Sequence, residues 1–207
     1  MKKVRLIFAC LIFVYFYSGR SVSAADDLLA SYHFVGSAAL AGNPNAAKLK
    51  KIGELKQTIQ LREDVLQKLS RASAKAFGTD SGTNRATALR PLFNDLLSAE
   101  SWAELHGKPN SSLELYLAVR LDDARSRIWE TNLIQSSKSP KPLPAKLGEA
   151  SGWQTKLAGS TNSLKFFRAG AWTFVFLAPE QGSAQLEFLN RVKPGSRPSG
   201  DATWLEA

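Results

Sequence analysis

The chain has 207 residues, 44% of them apolar and 22% charged, a composition that folds as one domain or two small ones and excludes wholesale disorder and collagen-like or other low-complexity assemblies. The formal net charge is +9, but Lys2, Lys3, Arg5 and Arg20 lie in an N-terminal segment without Asp or Glu, and from Ala25 onward 23 Lys and Arg face 18 Asp and Glu, or +5. A remainder this mildly basic suits contact with anionic surfaces and does not require a polyanion ligand.

Three positive charges in Met1 to Arg5, an uncharged run from Leu6 to Tyr17 and the small residues Val22-Ser23-Ala24 are the three parts of a secretory signal peptide. The pattern predicts a signal peptide over residues 1–24, cleaved after Ala24 or Ala25, and a periplasmic or extracellular protein. As a helix the apolar run rises only about 18 Å against a hydrocarbon core of ~30 Å, too short for a transmembrane anchor. Cys10 is the only cysteine, and the four apolar residues before it, Leu6 to Ala9, are too few for lipoprotein processing. The processed chain then has neither Cys nor Met, which excludes disulfides, thiol nucleophiles and cysteine metal sites. Its 183 residues are enough for a hydrophobic core to sustain folding without staples.

Residues 25–100 read as a helical region. Leu28 to Phe34 fits a short helix or a strand. A helix is predicted from Asn45 to Leu55, with Gly53 as a joint. Leu61, Val65, Leu69, Ala72 and Ala76 recur at steps of three and four and predict an amphipathic helix from Gln57 to Phe77, with an Asp64–Lys68 ion pair on another face. Gly78 to Gly82 breaks the pattern, and a further helix is expected from Leu89 to Ala99 with Pro91 in its first turn.

From Ser101 the period shortens to two, and residues 101–207 read as strand-rich. Leu113, Leu115, Leu117, Val119 and Leu121 alternate with Glu114, Tyr116, Ala118 and Arg120, a strand with one buried face. Trp102 to Leu105 is its antiparallel neighbour through a turn at Gly107 to Ser112. Asp122 or Asp123 caps a helix carrying Ala124, Ile128, Trp129 and Leu133 and ending near Gln135. Residues 136–144 hold Pro140, Pro142 and Pro144 with Lys138 and Lys141, an extended, solvated connector.

Strands follow at Trp153–Leu157, Leu164–Arg168 and Trp172–Ala178, the last two joined by a tight turn at Gly170. Trp172, Phe174 and Phe176 stand opposite Val175 and Leu177, which predicts a central strand covered on both faces. A helix from Gln181 to Val192 precedes a Pro- and Gly-rich stretch, and Thr203 to Ala207 reads as the first residues of another strand, so the region is expected to be incomplete at its C-terminus. Strands followed by a helix occur in both 102–133 and 153–192, but two unmatched copies do not establish a repeat. The fold class is α+β, a helical N-terminal part followed by a mainly antiparallel sheet backed by helices.

Four stretches together, Leu28 to Phe34, Asn45 to Lys50, Leu117 to Arg125 with Trp129 to Leu133, and Trp204 to Ala207, resemble a group of uncharacterised exported bacterial proteins longer than this chain. The resemblance spreads over most of the processed sequence. It implies that the chain is an N-terminal portion whose last strand continues into a second half, and it implies no activity.

The search for chemistry yields little. Asp80-Ser81-Gly82-Thr83 has the short aspartic-protease pattern, but that chemistry needs two carboxylates sharing a proton, and a helix and a glycine-rich loop surround the single copy. His33 lies among apolar residues and reads as a partly buried, hydrogen-bonded side chain; His106 sits at a turn and reads as solvated. Two histidines without a His-Glu-x-x-His motif give no zinc site. No Gly-x-Ser-x-Gly elbow or phosphate-binding glycine loop occurs, and Asp122-Asp123 reads as a helix cap. Trp153, Phe166, Phe167, Trp172, Phe174 and Phe176 alternate in strands and read as core.

Lys48, Lys50 and Lys51 form the densest basic cluster. On a helix Lys48 and Lys51 share a face while Lys50 points elsewhere, usually a solvated surface and here a candidate contact with anionic surfaces. The expected function is therefore a non-catalytic exported envelope protein acting as a structural or interaction module. No catalytic residues, cofactors or metals are expected, and neither are nucleic acid or a transmembrane span in the processed chain; partners are envelope proteins or anionic envelope components. The alternatives are an exported hydrolase with a dispersed serine or carboxylate site and a binding module for anionic envelope polymers or lipids.

Overall fold

Strands rich in aromatic and β-branched residues fix the centre of the molecule, and the computed structural model describes it over residues 28–76, 83–107, 113–137, 142–157, 161–179 and 183–192. Seven strands, β1 (Leu28–Phe34), β2 (Ser101–His106), β3 (Glu114–Arg120), β4 (Leu143–Leu147), β5 (Ala150–Lys156), β6 (Ser163–Ala169) and β7 (Trp172–Ala178), form one sheet. Their spatial order is β1-β2-β3-β7-β6-β5-β4, antiparallel throughout. The described helices are α1 (Ser37–Ala41), α2 (Ala47–Gly53, entered through a 3-10 turn at Pro44–Ala46), α3 (Lys56–Ala76), α4 (Thr83–Leu96), α5 (Asp123–Ser136) and α6 (Ser183–Val192). The class is α+β, as the sequence predicts.

β7 has the central position its two-sided apolar pattern requires. It pairs with β3 through Tyr116 and Phe176, and with β6 through Phe166 and Val175. On the face of Val175, α4 and α5 contribute Leu89, Leu92, Trp129 and Leu133 to a core with Val119, Trp153 and Phe166. On the opposite face, α6 lays Phe188, Leu189 and Val192 against Phe167, Phe174, Phe176 and Tyr116. The β6–β7 hairpin closes through two residues, Gly170 and Ala171, with Gly170 at φ 59°, where a Cβ would be disfavoured.

The second covered face corrects the reading of β3. One face is buried by Val119, but Tyr116 and Ala118 on the other are more deeply buried than Leu115 and Leu117, because α6 lies over the side that alternation assigned to solvent. The strand–helix echo does not extend to three dimensions, since α5 and α6 pack on opposite faces of the sheet.

The N-terminal part is helical except at its start. Leu28–Phe34 is a strand and pairs with β2 as the edge of the sheet. α2 ends at Gly53, where the joint was expected. α3 forms close to the predicted bounds but buries a different face: Leu66 and Ser70 are buried, whereas Leu61 and Val65 are exposed. At 3.6 residues per turn the Leu61–Val65–Leu69 stripe lies about a third of a turn away from Leu66 and Ser70. The reason is the position of α4, which packs against α3 and is joined to it by an ion pair between Arg90 and Glu63. No Asp64–Lys68 pair forms, so that expectation is also corrected.

α4 begins at Thr83, earlier than predicted, which places Pro91 in the helix interior instead of the first turn. Proline removes an N–H donor from the helical ladder, and α5 supplies side-chain donors to carbonyls nearby: Asn132 Nδ2 donates to the Ala88 carbonyl at 2.7 Å and Arg125 Nη2 to the Pro91 carbonyl at 3.4 Å. In α5, Asp122 is the N-cap, accepting from the Arg125 N–H at 2.7 Å. The buried stripe is Ser126, Trp129, Leu133 and Ser136, with Ile128 exposed; Ser126 faces the sheet because it accepts from Thr173 Oγ1 of β7 at 2.8 Å.

The connector expected over 136–144 is shorter. Ser136 still belongs to α5, and Leu143–Leu147 is the edge strand β4, with Pro144 opposite Trp153. An edge strand tolerates proline because one side of its backbone needs no ladder partner; residues 138–141 lie outside the described residues, as do the segments 1–27 and 193–207 with the signal-peptide and C-terminal expectations.

Candidate functional site

Three groups of ionisable side chains are built into the fold. The first joins α4 to α5. Leu89 and Leu92 direct one face of α4 inward, and Asp95, one turn further on, comes with them. It accepts from Arg125 Nε at 3.1 Å and from the Trp129 indole N–H at 2.8 Å. Trp129 is fully buried, so its N–H requires such an acceptor.

The second lies on the α6 face of β2 and β3. The β2–β3 register sets Glu104 opposite Tyr116 and His106 opposite Glu114, so all four project to one side. Buried Glu104 accepts from Arg191 of α6 at 2.7 Å and meets His106 Nε2 at 2.9 Å. His106 packs against Tyr116 with ring centroids 4.5 Å apart, and the Tyr116 hydroxyl donates to Glu114 at 2.6 Å. Burial, then the hydrogen bond to the Glu114 carboxylate and the negative charges of Glu114, Glu104 and Glu187, push the Tyr116 phenol well above its usual range. His106 is thus the last residue of β2, 12% exposed at its side chain, and not a solvated turn residue; α6 covers the face onto which the strand directs it.

The third group is on the same face near the β1 edge. His33 stacks on Trp102 at 3.8 Å and meets Glu100 at 3.4 Å, and Arg120 donates to the other Glu100 oxygen at 3.2 Å. His33 is hydrogen-bonded as expected, but a third of its side chain is exposed, since no helix among the described residues covers this end of the sheet. Both histidines meet carboxylates, not serine hydroxyls.

Lys165 of β6 is buried on the α6 face and donates from Nζ to the Pro179 carbonyl at 2.7 Å and to Gln185 Oε1 at 2.8 Å. Asp122 is the cap described above, and Asp123 forms an exposed ion pair with Arg168. Asp80, Ser81 and Gly82 lie outside the described residues. The six strand aromatics are all buried in the two cores. Among the described residues no three His, Asp or Glu side chains converge as metal ligands, and no helix is long and apolar enough to cross a membrane.

Lys48, Lys50 and Lys51 lie on α2 and are exposed. The structure adds what the basic cluster alone did not reveal: Leu49, Ile52, Leu55, Ile59, Leu61 and Val65, on α2, α3 and the turn between them, are all exposed. Their spacing is legible in the sequence, but alternating apolar and basic residues there read as an ordinary amphipathic helix with its apolar face inward. A shallow depression of about 280 Å³, lined in part by Leu40, Pro44, Ala46 and Lys50, adjoins this surface.

Fold and side-chain groups define an α+β protein in which a two-sided sheet core, cross-linked by buried polar groups, carries a helical arm with exposed apolar and cationic side chains. No protein family, curated protein or solved structure matches the chain.

Proposed function

We propose that this is a non-catalytic exported envelope protein, an interaction module that uses the sheet as a rigid platform and the α2–α3 arm as its contact surface. The observation that carries the reading is the exposure of six large aliphatic side chains on that arm, an accumulation of exposed apolar groups of the kind that marks interaction sites. The ionisable groups of the platform support it from the other side, because they hold elements together: α4 to α5 through Asp95, β2 to α6 through Glu104, and β6 to α6 through Lys165. Export rests on the signal-peptide pattern of residues 1–24 and on the resemblance to exported proteins.

Cell fractionation tests the proposal. The processed protein should begin at Ala25 or Asp26 and be retained with the envelope, and the variant carrying Ile52→Ser, Ile59→Ser and Leu61→Ser should be released with an unchanged melting temperature, since all three side chains are exposed. Equal retention of this variant and the parent, or recovery of both from the cytoplasm, refutes it.

A further inference from the structure

The α2–α3 arm carries cations as well as apolar groups. Between residues 47 and 71 there are seven Lys and Arg against three Asp and Glu, and α2 itself has no acidic residue. Glu63 is occupied by Arg90. Among the described residues none of Lys48, Lys50, Lys51, Lys56 or Arg62 has an acidic partner. On α2, Leu49 and Ile52 share one side of the helix, with Lys48 and Lys51 flanking them in one direction and Lys50 in the other. Beyond it, Leu55 in the turn and Ile59 near the start of α3 are exposed as well, so that Leu49, Ile52, Leu55 and Ile59 are 61%, 52%, 53% and 51% exposed.

We infer that the occupant of this surface is the anionic face of a phospholipid bilayer, with the aliphatic side chains entering the headgroup–acyl boundary and the lysines pairing with headgroup phosphates. This rests on the interaction-module reading above and specifies its partner. Apolar residues on one side of a helix with lysines along its flanks are the arrangement of a helix lying in a membrane interface, and cations near such a surface each add attraction that salt screens. Charge decides against a second copy of the chain, because self-docking would bring the unpaired lysines of two arms together, whereas an anionic bilayer neutralises them. The depression beside Lys50, walled by Leu40, Pro44 and Ala46, places apolar walls next to a cation, the complement of the acyl chain and anionic phosphate that a phospholipid presents at its glycerol level.

The test uses the processed chain, from Ala25, which keeps every described element and lacks the apolar segment Leu6 to Tyr17 that would bind lipid on its own. Vesicles of phosphatidylcholine with 0–40% phosphatidylglycerol, about the range over which surface charge develops, are mixed with protein and floated at low and physiological salt. Binding should rise with phosphatidylglycerol and fall with salt. Lys48→Gln, Lys50→Gln and Lys51→Gln together should weaken it about tenfold or more, since each lysine near an anionic surface is worth several-fold in affinity. Ile52→Ser with Ile59→Ser should weaken it at every salt concentration, and Leu143→Ser on the β4 edge should leave it unchanged.

Absence of binding to the anionic vesicles, or binding equally strong in both arm variants, overturns the lipid inference. Sedimentation of the same samples then separates the two readings. A dimer abolished by Ile52→Ser and Ile59→Ser, or envelope retention that still depends on these residues, leaves the interaction module standing with a protein partner in place of lipid. Monomeric protein whose envelope retention ignores the arm removes both.

Discussion

Asp95 provides the most direct measure of how the helices are held on the sheet. Replacing it with Ala removes the acceptor of the Trp129 indole N–H, which is 2.8 Å away on a side chain only 2% exposed. A buried donor left unsatisfied costs about 1–3 kcal/mol. Arg125 loses the same partner, but about a third of its side chain is exposed, and its guanidinium recovers water, so screening limits that contribution to ~1 kcal/mol. Together Asp95→Ala should cost about 3 kcal/mol, which lowers the melting temperature by about 10 °C for a domain of this size. Asp95→Asn keeps an oxygen for the indole and should lose about half as much, on the scale of a charge-assisted bond made neutral. Urea unfolding followed by far-ultraviolet circular dichroism, which is indifferent to loss of a tryptophan, gives the free energies. A double-mutant cycle with Trp129→Phe should yield a coupling of about 1 kcal/mol or more, because the two side chains are in contact. If Asp95→Ala costs under about 1 kcal/mol, or if the two substitutions are additive, the α4–α5 junction does not depend on this buried hydrogen bond.

Two further perturbations probe the sheet. At Gly152 an added Cβ would lie 1.8 Å from the Phe166 carbonyl oxygen, forcing β5 away from β6, so Gly152→Ala should cost about 3 kcal/mol, the upper end for overpacking, while Gly170→Ala, with open space around it but φ 59°, should cost ~1 kcal/mol; thermal melts in the reverse order would contradict the strand register. Tyr116 should make stability fall in alkali: its phenol stays protonated in the folded protein above the usual value of about 10, so its contribution is complete below pH ~10 and is lost as the pH rises toward the folded-state value, at up to about 1.4 kcal/mol per pH unit. Tyr116→Phe should flatten that decline, read by urea midpoints between about pH 9 and pH 11; an unchanged slope would show that the phenol is not held protonated by its surroundings.

Much of the architecture is legible one segment at a time. The two-sided apolar run Trp172–Ala178 requires a central strand, Asp122 ahead of an apolar helical pattern requires a cap, and Gly53 interrupts a helix where the structure ends one. Each of these depends on backbone hydrogen bonds and side-chain periodicity within a few residues, which any tertiary context must respect. The basic cluster on α2 is equally legible, and it is exposed as its composition suggests.

What local pattern does not contain is the partner of each face. Leu61, Val65 and Leu69 have a regular helical stripe, yet the buried side of the helix is that of Leu66 and Ser70, about a third of a turn away, and Leu61 and Val65 stay in solvent. Tyr116 reads as a solvent-side residue of its strand until α6 covers it, and Glu104 meets Arg191 only because the sheet brings together positions 87 residues apart. Pro144 hides β4, since proline argues against a strand unless the strand lies at an edge, and the edge exists only once the sheet is assembled. The sequence by itself therefore determined most of the elements, the Asp122 cap and the α+β class, all consequences of short-range sterics and hydrogen bonding. The tertiary structure alone decided which faces are buried, which charges are paired and which apolar side chains remain for a partner, because burial is a property of two surfaces and only one of them is written in any segment.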